Sequence, residues 1–459
     1  MFTFYRGALL SIPERHPGRT LTAIGIVFGL AYGIAVVALP KVNRRIVIGD
    51  AEGHYVQLRS AVFDRDLDFR NDYAGLEGLT VGSEIESSIA AAKATPTGYQ
   101  RNFMPVGPAI VWAPAFLLVT AIVWLVDVFG AGYPLDGFAP VFQVSAGLSG
   151  IAAATLGSWF AFQAAALLFD RRTAIWATLA VWLSSSAVYY SLVSPTYSHA
   201  ASMFAAGAFW LFWIRTLDRQ TPARYAAVGA LAGFAALMRW QDVMLLVVPV
   251  LEILWQRRHL RLAIMAARIA TCVVSFAVTF SPQMVVWHAL YGRAFTIPQG
   301  AAFMHWGQPA VLAVLFSYKH GLFTWSPIIA VAVAGFVPLF RNHRLLGTAA
   351  ITFVVVTCYV NGAVADWWGG EAFGARRFLS CYTLFVLGLA ALQHQCRLRT
   401  GGLAAVAMVF AVYTGLLLVQ YEAFMHGLRQ LVPYPDRFVS LWLWRFRAPF
   451  DLLQWWLRR

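Results

Sequence analysis

The chain is 459 residues long, 59% hydrophobic and only 12% charged, with a mean hydropathy of +0.63. A soluble domain carries about 25% charged residues, and no long polar block is present to form one, so composition excludes a soluble enzyme and predicts a single integral membrane domain over 1–459. The net charge of +14 comes mainly from Arg in short clusters between apolar runs, as in the cytoplasmic loops of a membrane protein, which argues against nucleic acid as a partner.

In chain order, Arg6, Arg15 and Arg19 precede a first apolar run over 21–39. They place the N-terminus inside and the polar stretch 41–106 outside. Further helices are predicted at 107–128, 139–169, 173–191, 197–215, 223–238, 242–256, 262–283, 322–340, 345–361, 378–395 and 402–421. Cationic clusters fall at Arg171/Arg172, Arg215/Arg219/Arg224, Arg257/Arg258/Arg261, Arg341/Arg344 and Arg397/Arg399. If 107–128 crosses the membrane, every one of these clusters lies outside; if it does not, all lie inside. The charge rule therefore predicts a membrane-embedded or surface-lying helix over 107–128 that returns to the outer side, with a plain span as the alternative. Breakers flank it, in Pro105-Val106-Gly107-Pro108 and Phe129-Gly130-Ala131-Gly132. The result is an all-α polytopic protein of about eleven spans, with a second external loop over 284–321. The tail 437–459 mixes Arg with Trp, Phe and Leu and reads as an interfacial amphipathic helix. Cys272, Cys358, Cys381 and Cys396 are scattered, with neither zinc-ligand nor disulfide-framework spacing.

This topology gathers the unusual polar groups on the outer side, where ionisable residues at membrane depth mark function. Asp50, Glu52, His54 and Tyr55 open a short helical pattern; helix capping by the acids is the plain alternative. Asp64, Asp66, Asp68 and Asp72 begin like a calcium loop but lack its Gly and terminal Glu, so a solvated loop is favoured over a cation site. Arg376 and Arg377 stand where the charge rule disfavours them, behind Trp367, Trp368 and Glu371. A guanidinium binds phosphate through a planar fork, which makes the Arg pair a candidate phosphate site; headgroup anchoring is the alternative. Lys319 and His320 offer a second cationic point. His199 sits at an outer helix start, and Arg239 and Asp242 either pair with each other or face a ligand.

Together the pieces Gly49-Asp50-Ala51-Glu52-Gly53-His54-Tyr55, Asp66 to Tyr73, Ser198-His199-Ala200, His320-Gly321-Leu322 and Trp367 to Phe378 resemble the GT-C superfamily of polyprenyl-phosphate-sugar-dependent glycosyltransferases, which includes protein O-mannosyltransferases and lipid A aminoarabinose transferases. The resemblance extends over most of the chain and is to a bacterial branch. It implies a GT-C-like fold with juxtamembrane helices in the first external loop. It also implies an inverting transfer of sugar from a polyprenyl-phosphate donor to a cell-envelope glycan or lipid, at the external (periplasmic) face of a bacterial-type plasma membrane. By that resemblance Asp50 is the catalytic base, with Glu52 beside it where mannosyltransferases have adjacent Asp-Glu. Arg376, Arg377, Lys319 and His320 would take the donor phosphate, and His54, Tyr55, His199, Arg239, Asp242, Trp367, Trp368 and Glu371 would line the substrate site. No cofactor is demanded; a divalent cation on Asp50, Glu52, His54 and His199 is an open alternative. The competing class is a multispanning transporter or flippase of lipid-linked sugars, which would show internal repeats or broken helices with midplane charges.

Overall fold

The computed structural model describes residues 12–38, 46–78, 94–435 and 437–458. Arg6, parts of the first external loop (41–45 and 79–93) and Arg459 lie outside the described residues. The described chain is helical, with one isolated bridge between Met304 and Val364. Among the described residues, six helices are long and apolar enough to cross a membrane. They are α1 (Pro17–Ala38), α4 (Gly107–Val128), α5 (Pro140–Ala166), α11 (Leu262–Tyr291), α16 (Arg344–Ala363) and α18 (Thr400–Met425). Between α1 and α4 lie the short helices α2 (Asp50–Arg59) and α3 (Arg70–Leu76).

The remaining predicted spans are shorter or interrupted, and the sequence gives the reasons. The run 173–191 divides into α6 (Arg171–Leu183) and α7 (Ser186–Leu192) at Ser184-Ser185, where the Ser185 hydroxyl accepts from the Ala187 N–H and starts the second helix. α8 (Ser198–Arg215) and α9 (Pro222–Met238) follow, the latter with Pro at its first turn and Thr221 as its cap. The run 242–256 begins as a 3₁₀ segment, Trp240–Leu246, before α10 (Val247–Trp255). After α11 come α12 (Val311–Phe316) and α13 (Leu322–Trp325). Pro327 and Gly335 then divide 322–340 into α13, α14 (Pro327–Ala334) and α15 (Phe336–Asn342). The run 378–395 starts as a 3₁₀ turn, Arg376–Cys381, continued by α17 (Tyr382–Gln395). α11 continues past the predicted end near 283 to Tyr291. Gly292, at φ 71°, closes it by donating its N–H to the His288 carbonyl, so the non-helical part of 284–321 begins there. The tail forms α19 (Phe438–Trp442) and α20 (Trp444–Leu457).

Small residues set the packing. α1 and α5 run antiparallel, with Gly18 against Trp159, Gly25 against Thr155 and Gly147 against Tyr32. α9 lies against α11 through Gly229 on Cys272 and Gly233 on Phe276. A methyl group added at Gly229 or Gly233 would collide with the α11 backbone, so α9 and α11 touch at near-minimal separation, as in membrane bundles. The bundle has two chemically distinct ends. At one, Arg224 holds Glu252 through two bonds (2.6 and 3.0 Å), and Trp213 Nε1 donates to the same carboxylate at 2.7 Å. Arg224 therefore ties α9 to α10 inside the protein as well as contributing to a charge cluster. At the other end α2, the starts of α4, α5 and α8, and the 3₁₀ turns at 240 and 376 converge.

The first half of α4 packs at that second end. Gly107 abuts Leu237 and Met238 at the end of α9, and Phe116 meets Phe142 at the start of α5, with ring centroids 5.5 Å apart. Asp136 and Gly137, beyond α4, return to Arg59. The exposed surface of α4 is mostly apolar, including Leu117, Leu118, Ile122 and Leu125, with Asp127 exposed in its last turn.

Candidate functional site

The site is built around Asp50. Gly49, at φ 63°, ψ −135°, takes a conformation natural only to Gly and turns the chain into α2. The hydroxyl of Tyr197 occupies the space a Gly49 side chain would need. Asp50, first in the helix, sends its carboxylate across to Arg376, with Oδ2 2.8 Å from Nη2. The plain reading, acids placed to cap the helix, therefore misses the principal contact of Asp50.

The Arg376 side chain is 12% exposed against 40% for Asp50. Its Nη2 also donates to the Gly369 carbonyl at 3.1 Å, its guanidinium stands 5.1 Å over the Tyr197 ring, and its buried Nε has no hydrogen-bond partner. Arg377 is held differently: Nη1 donates to the Asp366 carbonyl (2.9 Å) and Nη2 to its carboxylate (2.8 Å). Arg239, buried at the end of α9, donates to the Arg377 carbonyl at 3.0 Å. Burial lowers the Arg239 pKa to about 10, against the pull of Asp242. Asp242 itself accepts from Ser202 at 2.6 Å.

These groups surround a cavity of about 310 Å³ lined by Asp50, His199, Arg239, Arg376, Arg377 and Asp366, with Phe103, Met104, Pro105, Ser198, Trp240, Gln241, Gln299 and Phe303 completing the wall. Three guanidiniums and two carboxylates facing one small cavity suit an anionic ligand, and Arg376 and Arg239 have donors to spare. His199 packs against the Tyr190 ring (4.8 Å between centroids), and its Nδ1 is buried without a partner. A smaller adjoining pocket, walled by His320, Trp367, Trp368 and Asn361, shares Arg376 and Arg377.

Other predicted residues support the site from behind. His54 is fully buried; its Nδ1–H donates to the Pro105 carbonyl at 2.8 Å and its ring meets Trp112 edge-on. Burial holds its pKa at about 4 although the Pro105 bond favours the proton, so the ring is neutral. His320 donates from Nδ1 to the Trp368 carbonyl (2.6 Å) and accepts at Nε2 from the Tyr434 hydroxyl (2.8 Å). Burial puts its pKa at about 4 as well. Its backbone φ of 60° costs a non-glycine residue about 1–3 kcal/mol, and those two bonds fix the ring beside Arg376. Lys319 is exposed, 5.8 Å over the Trp368 ring. Glu52 is 3% exposed and Tyr55 donates to the Gly137 carbonyl at 2.7 Å; neither lines the cavity. Glu371 is exposed, and its carbonyl accepts from Tyr421.

The acidic stretch closes on itself. Arg59 binds Asp72 at 2.9 Å and also Asp64, Ser60 donates to Asp66 (2.9 Å), and Arg70 Nε donates to Asp68 (2.8 Å). Among the described residues no three His, Cys, Asp or Glu side chains gather closely enough to hold a metal ion. Sequence reasoning missed Asp366 as the partner of Arg377, Tyr197 as the platform under Arg376, and Gln299 and Phe303 from the loop after α11. Asp366 opens the same Trp-Trp-Gly-Gly motif, so its carboxylate was the available signal; the others carry none in one dimension.

No protein-family model matches the chain, and no curated protein matches it. Among solved structures, a crystal structure of ArnT from Cupriavidus metallidurans in the apo state aligns at a TM-score of 0.45 and 15% identity, covering 94% of this chain and 76% of that one. That likeness is too low to carry function from one chain to the other. What can be said of this protein's chemistry comes from its own cavity.

Proposed function

We propose that this chain is a GT-C-like glycosyltransferase that moves a sugar from a polyprenyl-phosphate donor to a cell-envelope glycan or lipid, in the cavity at the Asp50 end of the bundle. The observation that carries the reading is the Asp50–Arg376 contact of 2.8 Å within a cavity also lined by Arg239 and Arg377. It brings a carboxylate able to accept a proton into reach of cations able to hold a phosphate.

The chemistry follows from the groups. The acceptor hydroxyl gives its proton to Asp50 while its oxygen attacks the anomeric carbon from the face opposite the phosphate. The bond from that carbon to the phosphate oxygen breaks, and the phosphate leaves with the electron pair, so the configuration inverts. A phosphate leaves readily without protonation, so no second, protonated carboxyl is required; a positioned base contributes roughly 10²–10⁴ in rate. The charge that builds on the leaving phosphate is met by Arg376, an interaction that strengthens toward the transition state. The transition state resembles the oxocarbenium ion of glycoside hydrolysis. The apolar flank of the bundle leaves the polyprenyl tail in lipid, and the plasma membrane of a bacterial-type cell, external face, is the proposed setting.

Proteoliposomes containing the purified protein and a radiolabelled polyprenyl-phosphate sugar test the reading. Time-dependent release of polyprenyl phosphate, with sugar recovered on an envelope acceptor, is expected. Sugar lipid that changes leaflet but stays intact would overturn it in favour of a flippase.

A further inference from the structure

Asp50 and Arg376 are assigned two tasks that their observed contact does not allow at once. While its Oδ2 is engaged at 2.8 Å by the guanidinium, the carboxylate is not free to turn to an acceptor hydroxyl. The same guanidinium, occupied at Nη2, cannot offer a phosphate its full fork. We infer that Asp50 and the donor phosphate compete for Arg376, so that the base is released only when the phosphate has taken its place. The inference rests on the proposed transfer reading and adds to it an order of binding: donor first, acceptor second.

Three features of the contact support an exchange. Asp50 engages Arg376 through a single nitrogen, while the neighbouring Nε is buried without a partner. A carboxylate so placed satisfies the fork only in part, whereas a phosphate presents enough oxygens for a bidentate contact. Arg376 is anchored independently of Asp50, by the Gly369 carbonyl at 3.1 Å and by the Tyr197 ring at 5.1 Å, so it keeps its place when the carboxylate leaves. Asp50 is the more exposed partner, with 40% of its side chain accessible against 12%, and it borders the cavity into which it would turn. The neighbouring Arg377 cannot serve in this way without losing Asp366, which holds it through two bonds. An enzyme so arranged keeps its base engaged in the absence of donor.

The test uses the full-length protein in detergent, with farnesyl phosphate as the probe. Binding is read first, as a rise in melting temperature. Asp50 is then labelled with a water-soluble carbodiimide and glycine methyl ester, and the modified peptide is quantified by mass spectrometry. Saturating farnesyl phosphate is expected to raise Asp50 labelling at least threefold. In Arg376→Gln, labelling is expected to be high from the start and indifferent to the probe. A melting shift with unchanged or reduced labelling in the wild type would overturn the competition while leaving phosphate binding intact. Absence of any melting shift would remove the phosphate site itself, and the competition with it.

Discussion

Arg376 and Arg377 are adjacent, yet their partners divide their roles. Arg377 is committed to Asp366, while Arg376 faces the cavity with donors to spare. Arg376→Lys keeps the charge but loses the fork, and turnover is expected to fall about 10²-fold, the scale of losing one transition-state donor. Arg377→Ala is expected to be milder. Single-turnover kinetics check the order, and a larger loss at Arg377 would reverse the assignment. The two buried imidazoles make a second prediction at this scale. His54 and His320, with folded pKa values of about 4, lie below the ordinary 6.5, so the unfolded chain binds more protons between those values. Their contribution to stability is complete above pH 6.5, is lost as pH falls toward 4, and is level below both. The difference in melting temperature between wild type and His54→Asn across pH 4–8 should follow that course. His54→Asn, whose amide can still donate to Pro105, should flatten part of the slope. Asp50 and Arg376 were legible in the sequence because each stood out locally, one an acid just beyond a span and the other a cation on the disfavoured side. Their mutual contact was not, because nothing local links the first external loop to a turn more than three hundred residues later. Sequence set Glu52 beside Asp50 without fixing its role; two residues on, about 200° round the helix, it turns into the interior.

Among the elements, α4 carries the least settled prediction of the sequence, that it does not cross. We propose that it lies along the site end. Phe116 is level with Phe142, the third residue of α5. Beyond Phe116 only about 18 Å of helix remains at 1.5 Å per residue, whereas α5 runs about 36 Å beyond Phe142 to reach the other end. Ala131→Cys is therefore expected to react with a membrane-impermeant thiol reagent from outside intact cells. Cys396, exposed between α17 and α18 at the opposite end, should react only once the membrane is opened. Labelling of Ala131→Cys only after opening, with Cys396 reactive from outside, would make α4 a span. The charge clusters made this proposal possible, because parity is a property of the whole sequence. The breaks at Ser184-Ser185 and Pro327 were also written in local residue types, but a hydropathy window averages over them and returned unbroken spans.

At the scale of the molecule, the proposed chemistry lies at one end of the bundle and a buried ion pair at the other. The end opposite the cavity is tied by Arg224, Glu252 and Trp213. Removing one member of such a buried pair strands the other, so Glu252→Ala is expected to cost about 3–5 kcal/mol, read as a lowered melting temperature. A change within about 1 kcal/mol would show that water or lipid replaces the lost partner. Sequence placed Arg224 in a topogenic cluster and could not foresee its second role, because Glu252 lies on another helix and only packing brings them together. The reaction proposed for the other end turns on one carboxylate. The most direct measurement is transfer from a radiolabelled polyprenyl-phosphate sugar by purified wild-type and Asp50→Asn proteins of matched melting temperature. The account expects the variant to bind farnesyl phosphate yet transfer sugar at least 10²-fold more slowly, the loss of a general base. Transfer by Asp50→Asn at the wild-type rate would contradict it.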